Sequence, residues 1–420
     1  MGLLRRLLGR GASSTPSAAH LALDIGTEYA KALVFEYEDG GAMVTGVGRQ
    51  RQGLAHMQSG TVADISAVVD NCRNALGEAE EMSGRHAQKV VIGIAGELVK
   101  GFTTTRTVER KRPDSSVTHS ELERTLEEIE ADAAAEAQRT ITWETGLPNV
   151  DVRLVHAGVA SAGIDGYAVS NPVGFQGRHL RISVFNAYAP LVHLGALESV
   201  VEQLGLELIK VVAEPYAVAR SLAGEQLGQS GALFIDVGGG TTDVALVRSG
   251  SVEGTRMFAL GGRAFSKSLA DRLDVGFEEA ERIKLAHAGG HDIEDADEVA
   301  EIIGEDIAVW AAGVELVLEE FGQEGLLPGR IELCGGGAAL PEIRAALTAD
   351  DFATGLPFAR RPQVSMMEPD SVTEVGDGTG LLVDQQDVTP MALAFQAVEA
   401  AGPQEPLDAA LARVLKGMRV

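Results

Sequence analysis

Residues 232–247 read ALFIDVGGGTTDVALV. An apolar β-rich run ends at Asp236, three glycines and two threonines follow, and a second β-rich run begins at Val244. This is a strand, a glycine turn and a strand. Glycine lacks Cβ and tolerates positive φ, so the turn lets backbone N–H groups approach a phosphate closely. Thr241 and Thr242 add hydroxyl donors, and the Asp236 carboxylate is a hard oxygen partner for a divalent cation, reached through water.

The same pattern recurs about two hundred residues earlier. LALDIGTEYAKALVF (21–35) is again an apolar strand, an aspartate (Asp24), a small turn (Gly26, Thr27) and a second strand. A third element, IELCGGGAAL (331–340), is a strand running into Gly335, Gly336 and Gly337 and then a helix start. Two such hairpins followed by a strand–GGG–helix resemble the actin-like ATPase superfamily, which includes actin, sugar kinases, heat-shock chaperone ATPases, MreB, FtsA and PilM. That resemblance implies an α/β chain with two ribonuclease-H-like domains around a nucleotide cleft.

With 420 residues, 45% of them apolar, the chain is long enough for two large domains. Its net charge of −26 argues against nonspecific nucleic-acid binding, so no nucleic-acid partner is expected. Cys72 and Cys334 have no metal-site spacing, and so few cysteines suit a reducing compartment. No apolar run approaches the length of a membrane span. Arg5, Arg6 and Arg10 interrupt the N-terminal leucines, which argues against a secretory signal.

Apolar periodicity predicts helices over 62–82, 118–140, 191–205, 263–273, 277–287, 307–321 and 389–400. Thr118 and Glu121 form the sequence pattern of a capping box. Short strands and turns are expected over 151–186, and 291–306 reads as an acidic polar stretch. The domain reading is 1–19, a basic amphipathic tip and linker; 20–100, a first actin-like domain; 101–183, an inserted subdomain; 184–230, the rest of the first domain; 231–400, a second actin-like domain with a small subdomain at about 263–328; and 401–420, a spacer and amphipathic segment.

Three stretches narrow the resemblance. Gly60, Val62 and Asp64 precede a long helix that ends in Ala79, Glu80, Met82 and Gly84, followed by the strand Val91–Gly96. NPVGFQGRHLRIS (171–183) resembles the segment closing the FtsA-specific subdomain, and GFEEAERIK (276–284) resembles a helix of the FtsA and MreB lines. The chain is thus similar to FtsA from about residue 20 to 400. PilM of type IV pilus assembly shares the insert, and IKVVAEPYAVAR (209–220) is PilM-like.

The FtsA resemblance implies ATP and Mg²⁺ as ligands. Asp24 and Asp236 would flank the metal. Gly26, Thr27, Gly238, Gly239, Gly240, Thr241 and Thr242 would hold phosphates. Glu281 and Lys284 would touch ribose and adenine, with an i,i+3 ion pair as the plain alternative. Gly335, Gly336 and Gly337 would pack on the nucleoside. Glu214 would orient attacking water, or else simply favour a helix N-terminus. Lys31 is a further cation, for phosphate or for structure. FtsA commonly carries Ser-Lys after the first turn, and Glu28-Tyr29 stands here instead. A carboxylate beside the γ-phosphate opposes binding unless it points away or is neutralised. At most slow ATP turnover is therefore expected.

As a division protein of this family, the chain would polymerise with itself and bind a tubulin-like division protein and other divisome proteins. It would lie on the cytoplasmic face of the membrane, against its anionic surface. MGLLRRLLGR (1–10) and LDAALARVLKGMRV (407–420) both read as basic amphipathic anchors. The alternative is a PilM-like cytoplasmic scaffold that binds a membrane-protein peptide and needs no anchor. A sugar-kinase role would require a catalytic aspartate and substrate pocket that the sequence does not reveal.

Overall fold

The computed structural model describes residues 18–38, 40–148, 150–222, 231–323 and 325–418. The N-terminal tip lies outside the described residues.

The first half begins with the meander β1 (Ala19–Ile25), β2 (Tyr29–Glu38) and β3 (Gly41–Arg51). A small hairpin follows, β4 (Met57–Gln58) with β5 (Thr61–Val62), and then α1 (Ile65–Ser83) and β6 (Ala87–Ile94). Asp64 caps α1 by accepting the Ala67 N–H, and Gly84 ends it with φ of 65°. A Cβ on Gly48 would sit 1.8 Å from the Ala75 carbonyl, so glycine is what lets α1 lie directly on β3.

The insert comprises β7 (Lys100–Glu109), α2 (His119–Thr145), β8 (Val152–Ile164), β9 (Tyr167–Ala168) and β10 (His179–Pro190). The chain returns through α3 (Leu191–Leu204), β11 (Glu207–Ala213) and α4 (Glu214–Leu222). The second meander is β12 (Ala232–Val237), β13 (Thr242–Arg248) and β14 (Ser251–Phe258). Then come α5 (Gly262–Leu273), α6 (Phe277–Ala288), α7 (Ala296–Gly322), β15 (Arg330–Cys334), α8 (Pro341–Thr348), β16 (Gln363–Met366), β17 (Val375–Asp377), α9 (Val388–Ala401) and α10 (Pro406–Met418).

One sheet runs β11-β6-β1-β2-β3-β17, and the other runs β16-β15-β12-β13-β14-β7-β10-β8-β9. In each, an antiparallel meander is extended on its first strand by two parallel strands: β6 and β11 in one, β15 and β16 in the other. The two halves therefore repeat one topology, as the repeated hairpins required. Buried aliphatic residues fill both faces, as expected where helices cover a sheet on both sides.

Two expectations change, and two connections join the halves. The segment 151–186 forms two long paired strands, because β8 and β10 bury alternate residues against α2. The insert's strands continue the second half's sheet: Gly254 and Thr255 of β14 pair with Phe102 and Gly101 of β7. Helix α7 starts at Ala296, earlier than the expected 307, because Val299, Ile302 and Ile303 are buried beneath the acidic surface. The end of the segment 231–400 returns to the first half: β17 pairs with β3 and α9 packs into the first half's core.

The C-terminal segment carries the largest correction. Leu407, Ala410, Leu411 and Val414 are buried against Leu122, Leu126, Ile164 and Leu180 of the insert. Asp408 Oδ1 accepts the Val159 N–H at 3.0 Å, and Arg413 pairs with Glu123 at 2.9 Å. The amphipathic helix is real, but its apolar face is covered by the chain's own insert and is not free to lie on a membrane.

Candidate functional site

The turns of the two hairpins face each other. Gly26 N–H bonds the Tyr29 carbonyl at 3.0 Å, and Gly238 N–H bonds the Thr241 carbonyl at 2.9 Å, closing each turn. A Cβ on Gly240 would lie 2.5 Å from Thr27 Oγ1, so a side chain there would push the halves apart. Between them lies a cavity of about 660 Å³.

Four carboxylates line it: Asp24, Asp243 and Glu214 are buried, and Asp236 is half-buried. Burial, opposed by Lys31, raises the Asp24 carboxyl above the usual range, and neighbouring Asp236 adds to the rise. Burial also raises Asp236, against the hydroxyl of Thr389, which donates to its Oδ2 at 2.6 Å. Burial and then Asp236 push Asp243 well up, and burial and then Asp24 push Glu214 well up. The nearby cation is Lys31, 3.6 Å from Asp24 Oδ2 and bonded to the Gln386 carbonyl at 2.5 Å. Asp243 Oδ1 is buried without a partner among the described residues.

This donor set suits a hard divalent cation, because it carries more negative charge than Lys31 offsets. Among the described residues no three His, Cys, Asp or Glu side chains converge tightly enough to hold a metal directly. A cation here would keep part of its water shell, as Mg²⁺ does.

Most of the residues singled out in the sequence line this cavity: Asp24, Gly26, Thr27, Lys31, Glu214, Asp236, Gly238, Gly239, Gly240, Thr241, Glu281, Lys284, Gly335, Gly336 and Gly337. Gly335 has φ of 86°, and a Cβ there would meet Asp236 Oδ1 at 2.1 Å. Gly337 is similarly tight against Val237, whereas a Cβ on Gly336 would meet only Gln386 Cβ, at 4.0 Å.

Thr242 does not join them. Its hydroxyl donates to the Leu260 carbonyl at 2.7 Å and accepts Trp310 Nε1–H at 2.9 Å, which turns it into the second half's core. Alternation along β13 explains this, because neighbours point to opposite faces. Glu281 and Lys284 are a buried strut as well as cavity lining. Lys284 Nζ donates to Glu281 Oε2 and to the Gly262 carbonyl, each at 2.9 Å, and Ser266 also bonds Glu281. They fix α6 to α5.

The sequence reading missed Asp243, Gln386, Thr389, Arg51, Arg263 and Glu278, all of which line the cavity. Asp243 was findable, since it closes the GGGTTD run. Gln386 and Thr389 arrive from a distant segment without a local motif.

The model of the family "Cell division protein FtsA" matches residues 233–376. The chain is 27% identical over 379 residues to "Cell division protein FtsA" of Bacillus subtilis (strain 168), covering 85% of this chain and 82% of that one. It is 26% identical to the Pseudomonas aeruginosa protein of the same description, across 94% and 97% of the two chains. The chain is therefore similar to FtsA proteins over most of its length, with the family-model match confined to residues 233–376. Among solved structures, the "PilM-PilN type IV pilus biogenesis complex" superposes with a TM-score of 0.66 at 18% identity, covering 92% of this chain and 100% of that one. That likeness concerns the fold, and the FtsA-like chain shares it.

Proposed function

We propose that the FtsA-like chain binds Mg-ATP in this cleft, polymerises with itself, and links the cell-division machinery to the cytoplasmic face of the membrane. The observation that carries this reading is the meeting of two glycine turns over four carboxylates, one of them with a buried oxygen that has no partner among the described residues.

Backbone amides of Gly26, Thr27 and Gly238–Gly240, with the Thr241 hydroxyl, would hold phosphates. Asp24 and Asp236 would hold the hydrated cation, with Asp243 behind them. A bound Mg²⁺ supplies charge neutralisation at the phosphates and lets the surrounding carboxylates ionise. Gly335–Gly337 would border the nucleoside. Glu214, at the start of α4, would hold a water near the transferring phosphate. Burial pushes its carboxyl well above the usual range, which favours the protonated form that cannot accept a proton, and this supports slow turnover. The nucleotide would then act as a clamp between the two halves. A tubulin-like division protein would be the natural partner, as the FtsA resemblance implies.

With α10 covered, membrane attachment would rest on residues 1–10. The docked helix also favours a second reading, a PilM-like scaffold recruited by a membrane-protein peptide. Co-sedimentation with anionic liposomes separates the two, using the full chain, a chain lacking residues 1–17 and one lacking 403–420. The tether reading expects pelleting that is lost with residues 1–17 and retained without 403–420. If no form pellets, self-anchoring is wrong and the scaffold reading replaces it. Electron microscopy with Mg-ATP tests polymerisation, with filaments as the expected result.

A further inference from the structure

Glu28, the residue that breaks the usual pattern after the first turn, sits between two arginines. Arg51 Nε lies 2.6 Å from its Oε1, and Arg263 Nε lies 2.7 Å from its Oε2. Arg51 ends β3 in the first half, while Arg263 belongs to α5 in the second. Arg263 Nη2 also donates to the Gln52 carbonyl at 3.0 Å, and Arg51 reaches across to Glu278 of α6. The two carboxylates and two guanidiniums balance, so Glu28 adds no net repulsion towards a phosphate.

The pairing spans the cleft at the phosphate turns themselves. Gln52 N–H donates to the Glu28 carbonyl, and Arg263 N–H donates to the Gly239 carbonyl, each at 2.8 Å. Each member is therefore anchored to a different turn. A Cβ on Gly239 would lie 3.0 Å from Glu28 Cβ, so the turns are already in contact here. The Glu28 and Arg263 side chains keep only 18% and 13% of their exposure, so solvent screens the pair partially.

We propose that Glu28 is a positioning residue that latches the two halves at the phosphate end, so that nucleotide leaves only after the Glu28–Arg263 pair opens. This rests on the cleft being a nucleotide site. A side chain that merely solvates itself in a turn would not link the halves, whereas this one does so through Arg263 directly and through Arg51 to Glu278.

The test uses the full chain with a fluorescent ATP analogue and Mg²⁺, following release by stopped flow at low and high salt. The variants are Glu28→Gln, Arg263→Gln and the pair together. Amide hydrogen exchange of residues 26–28 and 238–241 is measured in parallel without nucleotide. Each single change should speed release roughly tenfold, and the double should exceed neither by more than about twofold, since both remove one interaction. Release from the unaltered chain should quicken with salt, and release from the double variant should not. Exchange in both turns should rise in each single variant. Release within about twofold of the unaltered chain together with unchanged exchange in Glu28→Gln, or fully additive effects, would overturn the latch. If the unaltered chain binds no analogue, the nucleotide reading fails. The exchange arm then still decides the latch: faster exchange in Glu28→Gln supports it, and unchanged exchange removes it.

Discussion

Asp24, Asp236, Asp243 and Glu214 are each raised by burial, and Asp24, Asp243 and Glu214 also by neighbouring carboxylates, so they hold protons more tightly in the folded chain than in the unfolded one. Between their ordinary values and the raised ones the folded state binds the extra protons, so stability falls as pH rises through that window. Without divalent cations, the melting temperature is expected to rise when pH is lowered from 8 to 6, and Mg²⁺ should remove much of that slope. A flat profile in EDTA would contradict the cluster. Glu130 in the insert follows the same sign. It is buried between α2 and β10, and burial pushes its carboxyl up to about 7, against an Asn186 hydrogen bond. Glu130→Gln should stabilise the chain at pH 8 by about 1–3 kcal/mol and little at pH 4, read by urea denaturation at both values. Most of the cavity-lining residues were legible in the sequence because each hairpin turn brings several of them in a few consecutive positions. Thr242 was misplaced because strand alternation, invisible in a motif, turns it inward. Arg51, Arg263, Thr389 and Gln386 were invisible because only the folded topology brings them to the turns.

At the scale of elements, α4 links the site to the insert. It opens on Glu214 in the cleft, and its Tyr216 ring stacks on Phe185 of β10 at 4.6 Å and meets His156 of β8 at 4.5 Å. Helix α10 closes the insert from the other side. Leu411 is 2% exposed there, so Leu411→Ala should cost about 2–4 kcal/mol by removing packed atoms and leaving a cavity. Hydrogen exchange should locate the loss in α2 and β8. Loss of liposome binding without destabilisation would instead mean that Leu411 faces lipid. The periodicity of 407–420 revealed an amphipathic helix but not what covers its apolar face. That depends on where the insert lies, and no local pattern records it. The start of α7 was missed for a related reason, since its acidic surface masks a buried stripe of Val299, Ile302 and Ile303.

Across the whole molecule, duplicated hairpins made the two-domain fold readable, because a strand–turn–strand with its own parallel extension is a local unit repeated twice. What could not be read was how the chain crosses between units: β7 joining β14, and β17 and α9 returning to the first half. These crossings hold the two halves around one cleft, which is the basis of the proposed clamp. The most direct measurement is calorimetric titration of ATP into the full chain with Mg²⁺ and again with EDTA, for the unaltered protein, Asp24→Asn and Asp236→Asn. Saturable binding that weakens at least about tenfold on chelation, and likewise in each variant, is the expected result. Folded protein that binds no ATP, or binds it equally well without the cation and without either carboxylate, would contradict the account.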